Sequence, residues 1–476
     1  MDRPDIVLVM TDQQRFDQVG YASGGHFETP VLDALARRGV IFENAYSAAP
    51  VCVPARNALL TGIQPHRLPT QHNHMALQEG TWTVAHALRH AGYDTALIGK
   101  MHFTPMHADH GFDHMRTSEH LSASRHGLRK DGSPDLDDYH SWLVAEGHAS
   151  WEPLEVGQPP KVRQRQPSSG EHGAPFPYDL ALHPTSWIER EVDALLASRR
   201  SSRPLFLVIS FPHPHEPLNP LGSYASLFDV DDARIPTVKP GINDELPTAF
   251  RHALLNGQAG FRGWRVEEHG EAALRSRLCK ARAVIRHIDD VMGRLLVRFD
   301  SEETFFVFTA DHGDFGGHRG LAAKSPWIPF DDLIRVPLVF AGPGLVGGRC
   351  LPSLVQSSDI ALTLCDVAGV EVAAEEYDSR SLRPLLEDRA EAADCERSAA
   401  FATTSGWPGV RKGRWKLVLH PPEWSGALFD LEDDPDESVN RIDDPACAQE
   451  LEELKDIVRQ TFRRSAPELE RFELQT

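Results

Sequence analysis

Positive charge is scarce in this sequence of 476 residues, which has 49 lysines and arginines against 69 aspartates and glutamates and a formal net charge of −20. A chain with this surplus of negative charge repels a phosphate backbone, so we expect no nucleic-acid substrate. An acidic protein that handles an anion must gather positive charge locally, at the site itself. Clusters of basic side chains are therefore the features to look for.

Long apolar runs are also missing, since no stretch approaches the roughly 20 residues that a membrane-spanning helix needs. Residues 1–4 lead directly into an apolar segment, without the basic region and small-residue cleavage site of a secretory signal. These two absences predict a protein without a membrane partner and with a cytoplasmic location.

Cysteines are few and scattered, with no Cys-x-x-Cys pair and no histidine at close spacing. The six are Cys52, Cys279, Cys350, Cys365, Cys395 and Cys447. We interpret the last five as reduced thiols that mostly fill the core, in a reducing compartment.

Short apolar runs define the predicted fold. The chain is 41% hydrophobic and longer than one core usually holds, so we expect a large domain and a smaller one. Five runs predict strands buried on both faces of a sheet: 6–10, 95–98, 205–209, 305–308 and 336–340. Helical patterns lie at 31–38, 83–91, 188–197 and 271–299, the last as one long helix or two. This alternation predicts a large, doubly wound, mixed but mostly parallel α/β sheet flanked by helices.

Two segments depart from this alternation. Residues 107–177 are rich in His, Gly, Pro and Ser and predict long loops that shape a substrate pocket. Beyond about residue 390, segments 412–419 and 427–431 predict short antiparallel strands, and 448–462 a charged helix. We therefore assign residues 1–389 to the large α/β domain and 390–476 to a small α+β domain.

Polar side chains follow four of the apolar runs, where each predicted strand ends. They are Asp12 and Gln13, Lys100 and His102, His213 and His215, and Asp311 and His312. Ligands bind at the carboxyl ends of strands in open α/β sheets, so we expect one shared site. Two carboxylates from different strands need a cation or a shared proton to lie close together. Oxygen ligands favour Ca²⁺, and an imidazole also admits Mn²⁺.

Cys52 occupies the predicted start of a helix. Pro54 stands where Pro is tolerated in a first helical turn, and residues 58–60 continue the helix. The free N–H groups and the dipole at a helix N-terminus favour anionic groups. Arg56 lies four residues further on, on the same helical face, where it can hold whatever Cys52 becomes.

The run Cys52-x-Pro54-x-Arg56, followed by Leu60-Thr61-Gly62, resembles the signature of the sulfatases of the alkaline phosphatase superfamily. The strand-end motifs fall in that family's order, and residues 428–437 (LFDLEDDPDE) are similar to the family's LYDL-x-x-DP-x-E segment. The resemblance covers nearly the whole chain. It implies an alkaline phosphatase-like fold and hydrolysis of a sulfate monoester to an alcohol and inorganic sulfate.

The resemblance also implies site residues and cofactors. A formylglycine-generating enzyme oxidises the cysteine to an aldehyde, which adds water to give a gem-diol. One hydroxyl of the diol attacks sulfur, and the resulting intermediate later expels sulfate. Arg56 holds the diol. The residues implied in binding one divalent cation, Ca²⁺ first and Mn²⁺ as the alternative, are Asp12, Gln13, Cys52, Asp311 and His312. The residues implied around the sulfate are Asn73, Lys100, His102, His215 and Lys324.

The chemistry of a sulfate ester is consistent with these residues. Negative charge on the terminal oxygens is neutralised by the cation and Lys100. Charge on the leaving oxygen calls for a proton from His215 or Lys324, and His102 can take one from the diol.

Some positions depart from the commonest sulfatase pattern, which has Asp at position 13 and Asn at position 312. Gln13, His312 and Asn73 look more like the phosphonate monoester hydrolase and choline sulfatase branch, whereas Lys100 and His102 resemble the sulfatase side. Sulfate monoester hydrolysis is our first expectation, and phosphonate monoester or phosphodiester hydrolysis is the alternative. A non-catalytic anion-binding relative is a third, although all candidate catalytic residues are intact.

Several assignments stay open at this level. The alcohol carrying the sulfate is a sugar, an aryl group, an alkyl group or choline, and a homo-oligomer is one option for the assembly. Trp327 and Trp407 either stack on the substrate or are buried structural residues. His318 either orders its loop or supports the site, and His213 competes with His215 for one role.

Overall fold

The computed structural model describes residues 3–73, 75–119, 136–148, 176, 178–220, 222–257, 263–300, 302–389, 397–402, 407–420 and 425–463. The described strands are β1 (Asp5–Asp12), β2 (Val40–Tyr46), β3 (Asp94–Gly99), β4 (His114–Thr117), β5 (Leu205–Pro214), β6 (Trp264–Arg265), β7 (Thr304–Ala310), β8 (Leu321–Ala322), β9 (Leu338–Ala341), β10 (Arg349–Gln356), β11 (Ala400–Ala402), β12 (Gly409–Lys412), β13 (Trp415–His420) and β14 (Ser425–Asp430).

The described α-helices are α1 (Pro30–Arg38), α2 (Cys52–Thr61), α3 (Val84–His90), α4 (Asp138–Ala145), α5 (Pro184–Ser198), α6 (Gly222–Ala225), α7 (Thr248–Asn256), α8 (Val266–His269), α9 (Glu271–Leu296), α10 (Asp331–Ile334), α11 (Asp359–Val367), α12 (Arg383–Leu386) and α13 (Ala448–Arg463). None of these helices is long and apolar enough to cross a membrane.

An eight-stranded sheet forms the centre of the molecule, with strand order β10-β2-β9-β7-β1-β5-β3-β4. Strand β1 pairs in parallel with both β5 and β7, and β3 pairs in parallel with β5. Strand β9 runs antiparallel to both of its neighbours, β7 and β2. The predicted mixed, mostly parallel sheet is therefore confirmed. Four of the five apolar runs lie wholly in its strands, and the fifth, 336–340, enters β9 only at Leu338.

Both faces of this sheet are covered by helices. Alternate residues of each strand point to opposite faces, so the central strands contribute to two core clusters. In β1, Ile6 and Leu8 join a core cluster with residues of α2, α3 and α11. Val7 and Val9 join a second cluster with residues of α1, α5 and α9. Burial of each such side chain contributes roughly 1.5–3 kcal/mol to the stability of the fold. The packing on both faces therefore stabilises the sheet.

The prediction missed three strands of this sheet. Strand β2 has polar residues within it, β4 lies at one edge of the sheet, and β10 lies at the other edge and contains Pro352. Edge strands tolerate proline because one row of their backbone groups needs no partner strand. The segment 271–299, predicted as one helix or two, forms the single helix α9.

The C-terminal part contains the predicted antiparallel sheet, with strand order β11-β12-β13-β14. The run 412–419 is divided between β12 and β13 by a turn at Gly413, whose φ of 55° suits glycine. The predicted terminal helix is α13. The domain boundary at 390 and most of the loop segment 107–177 lie outside the described residues, so both remain predictions.

Candidate active site

The sheet brings the predicted polar residues to one edge. Strands β7, β1, β5 and β3 are consecutive neighbours, and their carboxyl ends deliver Asp311, Asp12, His215 and Lys100. Helix α2 begins beside them with Cys52 as its first residue. Ligand atoms of Asp12, Cys52, Asp311 and His312 all lie within 4.8 Å of one another, and the four residues are buried.

Arg56 connects the two carboxylates. Its Nε atom donates to Asp311 Oδ2 at 2.8 Å, and Nη2 donates to Asp12 Oδ2 at 3.0 Å. A third nitrogen, Nη1, donates to the carbonyl of Lys100 and to the hydroxyl of Ser210. All three charged groups are fully buried, where a paired charge is tolerated and an unpaired one is very costly. The guanidinium thus fixes one oxygen of each carboxylate.

The remaining oxygens of the two carboxylates face the thiol and the imidazole. Asp12 Oδ1 lies 3.8 Å from Cys52 Sγ, and His312 Nε2 lies 3.8 Å from Asp311 Oδ1. His312 Nδ1 is hydrogen-bonded to the carbonyl of Gly313 at 2.9 Å, which leaves Nε2 for the site. Carboxylate oxygens and a neutral imidazole nitrogen are suitable ligands for a hard divalent cation.

Gln13 supplies a further candidate ligand. Its side-chain oxygen, Oε1, is buried and has no hydrogen-bond partner among the described residues, while its backbone N–H donates to Asp311 Oδ1 at 2.9 Å. A buried amide oxygen without a partner is unfavourable unless a cation or a donor satisfies it. The residues present therefore fit the divalent cation that the sequence predicts.

Cys52 lies among positively charged side chains. Its Sγ atom is 3.1 Å from Lys324 Nζ and 3.2 Å from His312 Nε2. Burial and Asp12 raise the pKa of this thiol, but Lys324, Lys100 and His312 outweigh them, and the pKa falls to about 6. The site therefore favours an anion at position 52, as the helix N-terminus also does.

Lys100 is fully buried and pairs with Asp12, with 2.6 Å between Nζ and Oδ2. Burial alone raises the pKa of Asp12, but Lys100, His215, Arg56 and Lys324 outweigh it and hold the pKa well below its usual range. The acidic chain thus gathers basic groups at this one edge, as its composition required of an anion-handling protein.

The other predicted substrate residues take different positions. Asn73 Oδ1 accepts a hydrogen bond of 2.9 Å from the backbone of Val53, so this residue caps the start of α2. His102 is buried with a φ of 64° and belongs to the loop after β3. His215 is hydrogen-bonded through Nδ1 to the carbonyl of Glu216 at 2.8 Å and contributes to the field at Asp12.

Four further residues with aromatic rings had assignments that the sequence left open. The ring of His213 stacks on that of His183 at a centroid distance of 5.1 Å, whereas His215 acts on the charge of Asp12. Trp327 is buried in a small cluster with Ala49, Val51 and Ala55, beside the start of α2. Trp407 is buried against a ring of α7. His318 lies in the segment between β7 and β8, where its Nδ1 atom is 3.6 Å from Asp332 Oδ1.

Sequence reasoning missed the residues that hold these loops. Glu119 Oε1 accepts backbone hydrogen bonds from Met101 at 2.9 Å and from His102 at 2.7 Å. Glu119 follows the end of β4, so the strand-end rule finds it once that strand is recognised. Arg277, from the middle of α9, contacts Glu216 and Asp314. A single arginine within a long helical pattern carries no signal for such a contact.

The fold and the site define an α/β protein whose buried group of Asp12, Cys52, Asp311 and His312 could hold a metal ion at the edge of the sheet. A family model described as Sulfatase matches residues 4–370, and one described as N-sulphoglucosamine sulphohydrolase, C-terminal, matches residues 327–464. The chain belongs to the sulfatase family, whose members hydrolyse sulfate esters.

Individual relatives agree with this membership. The chain is 29% identical to an arylsulfatase of Clostridium perfringens, over 96% of this chain and 94% of the relative. It is 31% identical to a choline-sulfatase of Rhizobium meliloti, over 93% of this chain and 83% of the relative. The phosphonate monoester hydrolase from Silicibacter pomeroyi superposes with a TM-score of 0.78 at 22% identity, covering 98% of this chain and 96% of that one. This likeness confirms the alkaline phosphatase-like fold.

Proposed function

We propose that the protein hydrolyses a sulfate monoester, with formylglycine made from Cys52 as its nucleophile and one divalent cation in its site. The observation that carries the proposal is the cluster of Asp12, Cys52, Asp311 and His312, whose ligand atoms lie within 4.8 Å of one another. The substrate is a small sulfated sugar, aryl or alkyl compound. Maturation requires a formylglycine-generating enzyme as a partner.

The cation would be held by Asp12, Asp311, His312 and Gln13, together with the modified residue 52. When bound, it supplies positive charge that polarises the sulfate oxygens and favours an anionic nucleophile. Carboxylate and amide oxygens favour Ca²⁺, while the His312 nitrogen keeps Mn²⁺ as the alternative. Formylglycine supplies, in its hydrated form, one hydroxyl that attacks sulfur and a second whose deprotonation lets the sulfate leave.

The basic side chains then bind and orient the substrate. Lys100 and Lys324 neutralise the terminal oxygens of the sulfate, because both ammonium groups point into the cluster. His215 or Lys324 delivers a proton to the leaving alcohol, and His102 takes one from the nucleophile. Arg56 holds one oxygen of Asp12 and one of Asp311, so that the other oxygen of each carboxylate stays directed at the cation site.

Phosphonate monoester or phosphodiester hydrolysis is the second candidate function. Gln13 and His312 at the cation site keep it open, since they look like the branch that contains the phosphonate monoester hydrolases as well as the choline sulfatases. The fully buried Lys100 beside Asp12 favours the sulfatase, because a fixed cation there suits a sulfate ester.

The test is a comparison of kcat/KM for 4-nitrophenyl sulfate and for a phenyl phosphonate ester, followed by a screen of sulfated sugars and alkyl sulfates. We expect the higher value on a sulfate ester. A higher value on the phosphonate ester would select the second candidate. A protein that binds these anions without hydrolysing any of them would be a non-catalytic relative.

A further inference from the structure

The side-chain amide of Gln13 lies between two carboxylates. Its nitrogen, Nε2, donates to Asp314 Oδ2 at 2.7 Å and to Glu216 Oε2 at 3.1 Å. A carboxylate accepts hydrogen bonds and does not donate them, so the NH₂ group must face this pair. The same constraint turns Oε1 away from Asp314 and Glu216.

The oxygen that faces away is Oε1, which is buried and has no hydrogen-bond partner in the part of the chain that the structure describes. Gln13 directly follows Asp12, and its own backbone N–H is bonded to Asp311, so the residue lies against the cation cluster. An amide that was free to rotate would present nitrogen or oxygen to a cation with similar ease. Only the amide oxygen can coordinate a cation, so the orientation of the Gln13 amide affects how tightly the cation binds.

Arg277 holds the two carboxylates in place. From helix α9 its Nη2 atom donates to Asp314 Oδ2 at 2.8 Å and also to Glu216 Oε1. Arg277 is 4% exposed and Asp314 is 5% exposed, so their charges are paired inside the protein. The guanidinium offsets the repulsion between Asp314 and Glu216 around the amide. Asp314 Oδ1 is anchored separately by the backbone N–H of Gly316 at 2.6 Å.

We propose that Arg277, Asp314 and Glu216 are positioning residues, which hold the amide of Gln13 with Oε1 directed at the cation site and thereby set the affinity of that site. The inference rests on the proposed function, because it requires that the cluster binds a divalent cation. It also gives a reason for glutamine at position 13, since a carboxylate there would face two other carboxylates without a proton between them.

The test is a double-mutant cycle read out as cation affinity. The dissociation constants of Ca²⁺ and of Mn²⁺ are measured by calorimetry on full-length, metal-stripped wild type, Arg277→Met, Gln13→Ala and the double variant. Loss of a group that orients a metal ligand typically weakens binding by roughly 10–100-fold, which is the change we expect for Arg277→Met. On the Gln13→Ala background the same substitution should change the constant by less than about threefold.

Arg294→Met is the matched control. It removes an arginine from the same helix, but one that pairs with Glu189 and is 48% exposed. Its dissociation constants should stay within about twofold of wild type. If near-ultraviolet circular dichroism shows that Arg277→Met does not fold, Glu216→Ala replaces it in the same cycle, because the Glu216 side chain is partly exposed.

The possible results separate the two proposals. An equal loss of affinity from Arg277→Met with and without Gln13 would overturn the positioning network and leave the sulfatase proposal standing. A wild-type protein that binds neither ion would contradict the proposed function itself. Binding by wild type with non-additive losses supports both.

Discussion

The ammonium group of Lys324 lies 3.1 Å from the sulfur of Cys52, although 272 positions separate the two residues in the sequence. Lys324 is partly buried in the loop after β8. Desolvation lowers its pKa, but Cys52, Asp12 and Asp311 outweigh this and raise it. The lysine therefore keeps its charge beside the nucleophile position.

Lys324→Ala should lower kcat/KM for the best sulfate ester by about 10²–10³-fold, because a preorganised positive group would be lost where charge develops. Steady-state kinetics measure the change. The matched control is Lys455→Ala, which removes a surface lysine paired with Glu452. A loss of less than about threefold for Lys324→Ala would show that this lysine does not act on the substrate.

Lys100→Ala should impair hydrolysis of sulfate esters more than hydrolysis of phosphonate esters. Its ammonium group is fixed on Asp12 within the basic cluster, the feature that we associate with the sulfatase activity. The measurement is the ratio of kcat/KM values for the two substrates in wild type and variant. An equal loss on both substrates would remove Lys100 from the specificity argument.

Arg56→Met should destabilise the protein by about 3–5 kcal/mol, since it leaves two buried carboxylates without their shared partner. Urea unfolding of metal-free protein measures this difference. Arg294→Met is again the comparison, and an exposed ion pair of that kind contributes at most about 1 kcal/mol. A similar loss of unfolding free energy in Arg56→Met and Arg294→Met would mean that Arg56 does not stabilise the buried carboxylates.

Asn73→Asp separates a capping role from a role in substrate binding. A carboxylate at this position still accepts the hydrogen bond from Val53 and suits a helix N-terminus, so stability should be retained. Activity should fall, because the amide donor is replaced by a negative charge near an anionic substrate. Asn73→Ala should lose activity and also about 1 kcal/mol of stability, because it removes the acceptor for Val53. Full activity of Asn73→Asp would make Asn73 a cap only.

A pH effect on stability is expected at Asp289 of helix α9, which accepts hydrogen bonds from the backbone N–H groups of Val31 and Leu32. Burial raises its pKa to about 6, against the lowering effect of those bonds. The folded protein then holds this proton more tightly than the unfolded chain, so wild-type stability falls as pH rises through about 6.

Asp289→Asn removes that titration. The stability of wild type relative to this variant should therefore decrease between about pH 4 and pH 6, as measured by urea unfolding at each pH. A difference that stays flat or increases over this range would show that Asp289 is not protonated in the folded protein at the lower pH.

The sequence predicted the strands that carry the site because a short run of apolar residues, such as 205–209, is stable only when both of its faces are covered. It also predicted Asp12, Asp311 and Lys100 at one edge, since parallel strands end on the same side. Strands β2 and β10 could not be predicted in this way, as polar residues and Pro352 interrupt them.

The residues that orient the site were beyond sequence reasoning for a different reason. Arg277 reaches Glu216 across 61 positions and Asp314 across 37, and these contacts depend on how α9 packs on the sheet. Nothing in the local pattern around Arg277 distinguishes it from the less buried arginines of the same helix. Asn73 was predicted as a substrate residue, which stays a prediction, and only the structure shows that its side chain caps the start of α2.

The central claim is that residue 52 becomes the nucleophile, and the mass of the peptide that contains it tests this most directly. In protein isolated from its native host, we predict a mass about 18 Da below that of the cysteine form, as conversion of the thiol to an aldehyde requires. An unmodified cysteine in protein that hydrolyses sulfate esters would contradict the account.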